Sequence, residues 1–499
     1  MSNERKSQVD FAGTHRKAHI DDLEGLVQFL RHGLSRYFFR LHGHPDRRIR
    51  VVFFEGDAEL ASMVDERSNA LLFGTGKDSP YNDHNPDGSR KPDTCCAKLV
   101  VEDLDVADLP ENRRMLAEVL RADTEGGQPH LSMANIVKTL HNHAYDADQS
   151  SHDFRMFNMW KKFSDAYARR ERGDEPKRTP VEIQVELGEN AVRPGRKSIL
   201  RHVVIPAYAP VRELMKLWLV MLFGKRAFSD RVRPQIHFVH TDEDLKFGKG
   251  SLEERDDTLF IGFTGGQFGP DVTVEAVAEA LKVSKMAQLH MLLKEFARFE
   301  ETPEGIEFLE LPNAVAVLNS HGTLEAHEVW KEVANILDAY EASGVAFNSA
   351  ITDGELVMSE VCGVKFGHGQ SDRTDLWKKA HTQRGAKAFV QRNSGGNVII
   401  FLQREVQHLV PGIARGLVVE EARLCGLENG GTAPLLAELE AVLEVGGKLP
   451  GAPHWHLWAE GGFFLNGSST HAETPTKLSL ETVRELVESA IVEATVAPE

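Results

Sequence analysis

Cysteine is scarce in this chain, and the four present, Cys95, Cys96, Cys362 and Cys425, fall in no CxxC spacing. That excludes a disulfide-knit secreted scaffold and a thiolate zinc site, and makes a reducing compartment the expectation. Aromatic side chains are few at 8%, yet 41% of the 499 residues are apolar, which is too many for a disordered chain. No long hydrophobic run exists. The most apolar stretch, Leu214 to Phe223, is ten residues long and carries Lys216, so no membrane span is expected. The opening MSNERKSQVD has no apolar signal core, and the expected location is cytoplasmic. Positive charge is also in short supply: 58 Lys and Arg against 75 Asp and Glu give a net charge of −17. A protein that coats nucleic acid nonspecifically is thereby excluded, while a local basic groove is not.

Hydrophobic periodicity reads as α/β at the start: a short strand, an amphipathic helix from Asp21 to Arg40, strands at Ile49 to Phe54 and Ala70 to Phe73, and a helix from Cys95 to Asp103. Helices are predicted near 111–122, 131–142 and 153–170. Residues 171–197 are charged, hold three prolines and show no sustained period, which suits a linker.

Beyond it the same order returns. Leu131, Asn135, Leu140 and His143 recur as Leu309, Asn313, Leu318 and His321 at one offset of 178, and Asp165-Ala166-Tyr167 returns as Asp338-Ala339-Tyr340. VDERSNALLFGTG (64–76) resembles LEERDDTLFIGFTGG (252–266). The expected architecture is a duplicated α/β unit, each a parallel-rich sheet flanked by helices, over 1–170 and 198–345. A C-terminal α+β domain follows over 346–499. There strands are expected at Val345 to Ile351, Lys387 to Gln391 and Asn397 to Leu402, then a helix from Val410 to Cys425. A hairpin in WHLWAEGGFFLNG and a helix from Ser479 to Glu493 complete it.

The densest chemistry lies in AGTHRKAHIDDLEGL (12–26), where a strand ending at Thr14 and a helix starting near Asp21 put His15, His19, Asp21 and Asp22 on one turn. Loops at the carboxyl ends of parallel strands are where α/β sheets place ligands. Imidazole nitrogens with carboxylate oxygens suit a divalent ion such as Mn²⁺. Asp21 and Asp22 equally suit a helix start, although capping needs no histidine. A second cluster, Tyr81-Asn82-Asp83-His84-Asn85, lies in a polar loop, and Asp123 sits at a helix C-terminus, an electrostatically unfavourable place for a carboxylate. Arg47, Arg48 and Arg50 belong to a basic stretch (31–50) that suits substrate phosphates or a solvated face. The segments Phe366-Gly367-His368-Gly369-Gln370 and Arg392-Asn393-Ser394-Gly395-Gly396-Asn397 have the glycines of phosphate-binding loops but fit no P-loop or dinucleotide fingerprint. His42 and His44 read as decoration of a turn.

The order T-H-x3-H-x-D-D, a Gly-rich strand end, Asp-His and then Asp-Thr resembles the DHH phosphoesterase superfamily, and within it the Myg-type, metal-dependent nuclease-like proteins. The resemblance implies a Mn²⁺ or Mg²⁺ centre held by His15, His19, Asp21, Asp83 and Asp123, with Asp83 and His84 as catalytic residues. The activity it implies is hydrolysis of a phosphodiester in a nucleic acid end or small nucleotide, the C-terminal domain acting as a substrate clamp; whether the chain forms a homo-oligomer is left open. Two departures stand out: no carboxylate occupies the second motif at Leu71 to Gly76, and Asn85 stands where the triplet's second histidine belongs. They leave one ion rather than two, or a non-catalytic DHH-like scaffold that binds a nucleotide or protein partner. In the second segment the first motif reads Ile205 to Val211 without His or Asp, and Gly269-Pro270-Asp271-Val272 keeps a single Asp, as expected of a non-catalytic copy.

Overall fold

The computed structural model describes residues 8–496 except 10, 35–37, 40–48, 56–69, 77–78, 86–90, 126–127, 144–148, 179–181, 190, 196–198, 229–232, 247–250, 374–375, 427–431, 459–460 and 467–473. The chain divides into two compact units, Met1–Ser343 and Gly344–Glu499. Among the described residues no helix is long and apolar enough to cross a membrane.

The first unit opens with β1 (Gln8–Val9), β2 (Phe11–His15), α1 (Ile20–Gln28) and a π-helical turn, Phe29–Gly33. Then come β3 (Phe38–Phe39), β4 (Arg50–Phe54) and β5 (Ala70–Phe73). A helix running on to Arg40 is not what forms. At Gly33 an added Cβ would lie 2.6 Å from the Phe29 ring, and Phe38–Phe39 pairs in parallel with β1 instead. Glycine weakens a helix and paired aromatics favour a strand, so local propensity overrides the amphipathic period here. Helices α2 (Cys96–Asp103), α3 (Pro110–Thr124), α4 (Met133–His143) and α5 (Gln149–Glu171) follow. The sheet is parallel with order β4-β2-β5, and β2 is the central strand, buried over Phe11–Thr14 as a two-sided parallel strand must be.

Glu24 is among the carboxyls buried here. Glu24 accepts from Gln28 Nε2 (2.6 Å), Ser164 Oγ (3.1 Å) and Trp160 Nε1 (2.8 Å). Burial raises its pKa, and Arg31 together with these three donors opposes the rise. Glu24→Leu strips the acceptor from three donors. It is expected to cost roughly 3 kcal/mol in urea unfolding, since each orphaned buried donor costs about 1 kcal/mol or more.

The rest of the unit holds a second parallel sheet with its helices. After residues 172–200, which hold no helix or named strand among those described, come β6 (His202–Pro206), α6 (Val211–Phe223), β7 (Gln235–Val239) and β8 (Thr258–Phe260). They are followed by α7 (Val274–Ala280), α8 (His290–Glu301), α9 (Leu311–His321) and α10 (Ala326–Thr352). This sheet is also parallel, with order β7-β6-β8, so in both sheets the first strand lies between the second and the third. The likeness extends to single bonds. Gly74 N donates to Tyr81 O (3.1 Å) and Gly262 N to Phe268 O (2.8 Å). Asn135 Nδ2 donates to Gln128 O and Pro129 O, as Asn313 Nδ2 does to Ile306 O and Glu307 O.

The two segments also clasp one another reciprocally. Met133 N donates to Leu309 O (2.7 Å) and Leu311 N to Leu131 O (3.0 Å) around an antiparallel bridge, Ser132 with Glu310. Tyr340 meets the His130 ring edge-on at 4.8 Å between centroids, and Tyr167 meets Phe308 at 4.1 Å.

In the second unit β9 (Leu356–Val361), β10 (Val364–Gln370), α11 (Leu376–Arg384), β11 (Ala388–Arg392) and β12 (Val398–Leu402) precede α12 (Val410–Leu424) and α13 (Ala433–Val445). Then β13 (Gly447–Leu449), β14 (Ala452–Trp458), β15 (Phe463–Leu465) and α14 (Leu480–Val496) complete a mixed seven-stranded sheet, order β13-β14-β15-β12-β11-β10-β9, with its helices. Residues 345–351, expected as a strand, are the last turns of α10. Phe347 and Ala350, three apart, are the buried pair, which is helical spacing. The expected hairpin forms, β14 pairing antiparallel with β15.

Candidate metal centre

The turn between β2 and α1 is shaped by its backbone. Lys17 adopts φ 55°, a left-handed conformation that turns the chain back toward the helix start. Two long-range contacts hold this turn: Lys17 N donates to Asp153 Oδ1 (3.1 Å), and His141 Nε2 meets Ala18 O at 3.2 Å. His141, His152 and Asp153 are buried beneath it.

On this turn and its neighbours the side chains converge. One ligand atom each from His19, Asp21 and Asp123 lies within 4.8 Å of the other two. Asp21 is buried on α1, and its Oδ2 accepts from Cys96 N at 3.3 Å. Asp123 comes from the last turn of α3, where the sequence made a carboxylate costly. His19 lies at the rim of the cluster, where crowding by the surrounding chain lowers its pKa; Asp22 opposes the shift, while Lys138 and His15 add to it. A neutral imidazole is the form that ligates a metal.

His15 faces elsewhere. Its Nδ1 donates to Arg16 O (2.8 Å) and its Nε2 to Asp22 Oδ2 (2.9 Å). Desolvation opposes its charge, but Asp22 outweighs it and holds the pKa at about 9, so the ring is an imidazolium at neutral pH. In this geometry His15 acts through Asp22 rather than as a ligand. Asp22 Oδ2 also accepts from His19 N (3.0 Å), fixing the helix start.

Asp22 accounts for the absence of a side chain at Gly74. A Cβ built on Gly74, φ +64°, would fall 1.5 Å from Asp22 Oδ1, so this carboxylate fills the space that a side chain at the end of β5 would take. Gly74→Ala is expected to displace Asp22 and weaken Mn²⁺ binding at least tenfold. The strained αL alanine alone costs about 1–2 kcal/mol. Isothermal titration reads the affinity and thermal unfolding the cost.

Asp83 is buried beside the cluster and accepts from His84 Nδ1 at 2.9 Å; His84 itself is exposed. The loop carrying them is tied down by Ser79 Oγ to Leu72 O and Asn82 Nδ2 to Gly76 O. Arg50 is not at the site. It opens β4, beside Phe11, whereas Phe54 is the residue paired with His15, so Arg50 sits four residues, about 13 Å, down the strand from the mouth. Arg47, Arg48, His42 and His44 lie outside the described residues. Among the described residues, Lys138 of α4 is a cation whose field reaches both Asp21 and His19, and no local pattern singles it out.

The second segment has a similar contact, with a cation added to it. Glu213 is the third residue of α6, as Asp22 is of α1, and it packs under Gly262, φ +76°, as Asp22 packs under Gly74. The sixth residue is Gly25 in α1 but Lys216 in α6. Lys216 is fully buried and donates to Glu213 (2.9 Å to Oε2) and to Gly269 O (2.9 Å). A carboxylate therefore stands at the third helix position of the second segment too, two residues past the stretch read as having lost it. No family model matches the chain, and no curated protein or solved structure is found similar to it.

Proposed function

We propose that the first unit is a duplicated DHH-like α/β fold whose N-terminal segment holds Mn²⁺ or Mg²⁺ and hydrolyses a phosphodiester in a nucleic acid end or small nucleotide, in the cytoplasm. The observation that carries this reading is the meeting of His19, Asp21 and Asp123 at the carboxyl end of the parallel sheet. The donor set fits: two carboxylates and one neutral imidazole suit a divalent ion of intermediate hardness. The second segment supports it, because there the retained carboxylate is neutralised by a buried ammonium, Lys216, whose counterpart in the first segment is Gly25.

A bound ion supplies Lewis-acid polarisation of the phosphodiester and activation of water. The chain's own residues do the rest. His19, Asp21 and Asp123 hold the ion, Asp22 orients the helix start, and the imidazolium of His15 keeps Asp22 in place. His84, exposed and oriented by buried Asp83 through Nδ1, is placed to exchange a proton with solvent through Nε2. Lys138 offsets phosphate charge.

The filled Gly74 position and Asn85 favour a second reading, a scaffold that binds its ligand without cleaving it. Calorimetric titration of metal-stripped protein with Mn²⁺, followed by a screen of short oligonucleotides and dinucleotides for hydrolysis, separates the two. Tight binding with cleavage supports the enzyme, binding without cleavage supports the scaffold, and no Mn²⁺ binding refutes the metal centre.

A further inference from the structure

The two glycine-bearing segments left unused by this function come together in the second unit. Phe366–Gln370, expected as a loop, is the end of β10, because its alternate residues pair with both β9 and β11. Arg392–Asn397 leaves the end of β11. Strands β10 and β11 are the one parallel pair of the seven-stranded sheet, with Gln370 opposite Arg392, so both segments exit at the same edge. The start of α14 closes a third side. Between them lies a cavity of about 740 Å³, whose lining includes Glu355, His368, Arg392, Ser394, Ser479 and Glu481. That size accommodates a small ligand, and adjacent parallel strand ends are where such ligands sit.

We propose that this cavity binds a phosphorylated polyol, of the sugar-phosphate or nucleoside-monophosphate class, independently of the metal centre. Arg392 supplies the anion-binding group. Its Nη1 donates to Leu478 O (3.1 Å), which fixes the guanidinium plane and leaves Nη2 and Nε for a phosphate. Gly396, φ +86°, keeps the approach open, since a Cβ there would stand 3.6 Å from Nη2 and 3.3 Å from Pro475. At α14 the cap uses Thr482 N, bonded to Ser479 Oγ (2.9 Å), and Val483 N, bonded to Ser479 O (3.1 Å). The amides of Leu480 and Glu481, which come before these, are the ones that meet an anion at the positive end of the helix dipole.

The carboxylates of the lining select for hydroxyls. His368 contributes its ring to the wall, with Nδ1 turned away from solvent. Glu355 lies on the cavity wall, and Glu481 pairs with Arg484. Carboxylates are acceptors only, so they repel a bare dianion and accept from the vicinal hydroxyls of a sugar. A ligand with a phosphate at one end and a diol at the other satisfies both halves of the cavity.

The test uses the full-length protein stripped of metal and kept in chelator, titrated calorimetrically with ribose 5-phosphate, ribose and inorganic phosphate. Ribose 5-phosphate is expected to bind, inorganic phosphate at least about tenfold more weakly, and ribose not at all. Arg392→Gln is expected to weaken binding of ribose 5-phosphate about tenfold or more, the worth of one charge-assisted contact. Because Arg392 also ties down Leu478, exposed Ser394→Asp provides a second variant, which places a negative charge at the mouth without touching a packed residue. It is expected to weaken binding similarly with unchanged thermal unfolding. Asp21→Asn is expected to bind ribose 5-phosphate as the unaltered protein does. No binding of ribose 5-phosphate at millimolar concentration, equal binding of inorganic phosphate, or binding unchanged in Ser394→Asp overturns the proposal. Since chelator is present throughout, failure of the metal reading leaves this result standing, and the reverse holds as well.

Discussion

The Asp21→Asn protein is expected to fold, to lose thermal stabilisation by Mn²⁺, and to lose phosphodiester cleavage by about a thousandfold, the scale seen when a preorganised electrostatic group is removed. Asparagine keeps an oxygen to accept from Cys96 N, so the local fold has its bond. What it lacks is the charge. An ion that binds only the folded state adds RT ln(1 + [L]/Kd), about 2.7 kcal/mol at a hundredfold excess over Kd. The unaltered protein should therefore melt several degrees higher with Mn²⁺ than without, and Asp21→Asn at the same temperature in both. Equal gains in the two proteins would refute the assignment of Asp21. Asp123→Asn, the same loss carried to the far end of α3, tests whether the distant carboxylate belongs to the same centre.

A larger effect on stability is expected in the second segment. Lys216→Met removes the ammonium from buried Glu213 and should destabilise the protein by about 3 kcal/mol, the low end for breaking a buried pair. It falls at the low end because Arg212 Nε still meets Glu213 Oε1 at 3.0 Å. The loss has a pH signature. Burial raises the Glu213 pKa, opposed chiefly by Lys216. Without Lys216 the rise is larger, so the folded state binds a proton that the unfolded state releases. Stability is then highest below the unfolded carboxyl value and falls as pH climbs through the folded one. Urea unfolding at about pH 5 and about pH 8 should show the greater loss at the higher pH. Adding Glu213→Gln to Lys216→Met should recover most of it; no recovery would mean that Lys216 contributes by packing alone.

Local patterns carried the first sheet well. Ala70–Phe73 is found where alternation placed it, and the recurrence of Leu131 and Asn135 as Leu309 and Asn313 marks residues that make the same bonds in both segments. The site was legible as far as neighbours in sequence reach: His19 and Asp21 share a turn, and Asp123 stood out because a helix C-terminus disfavours it. His141 and Asp153 were not, since what they grip lies more than a hundred residues away. Nor was Asp22's approach to Gly74, a contact between a helix start and a strand end. Lys216 was read only as the interruption of an apolar run, because periodicity reports burial and not what a buried charge faces. Val345 to Ile351 misled for the opposite reason: a seven-residue window of mixed apolar residues fits either period until α10 is seen to continue through it.

The clasp at 130–133 and 308–311 places each segment's hydrogen-bond partner in the other, one donor and one acceptor apiece. Every bond in it is unchanged if the second segment comes from another molecule. The described part of the connection is itself bonded to the second segment, Lys177 N donating to Ser320 O (2.9 Å) and Val185 N to Thr264 O (2.9 Å), so a cut ahead of residue 177 should leave the bonds of both segments in place, and size-exclusion chromatography of the nicked chain reads whether they hold.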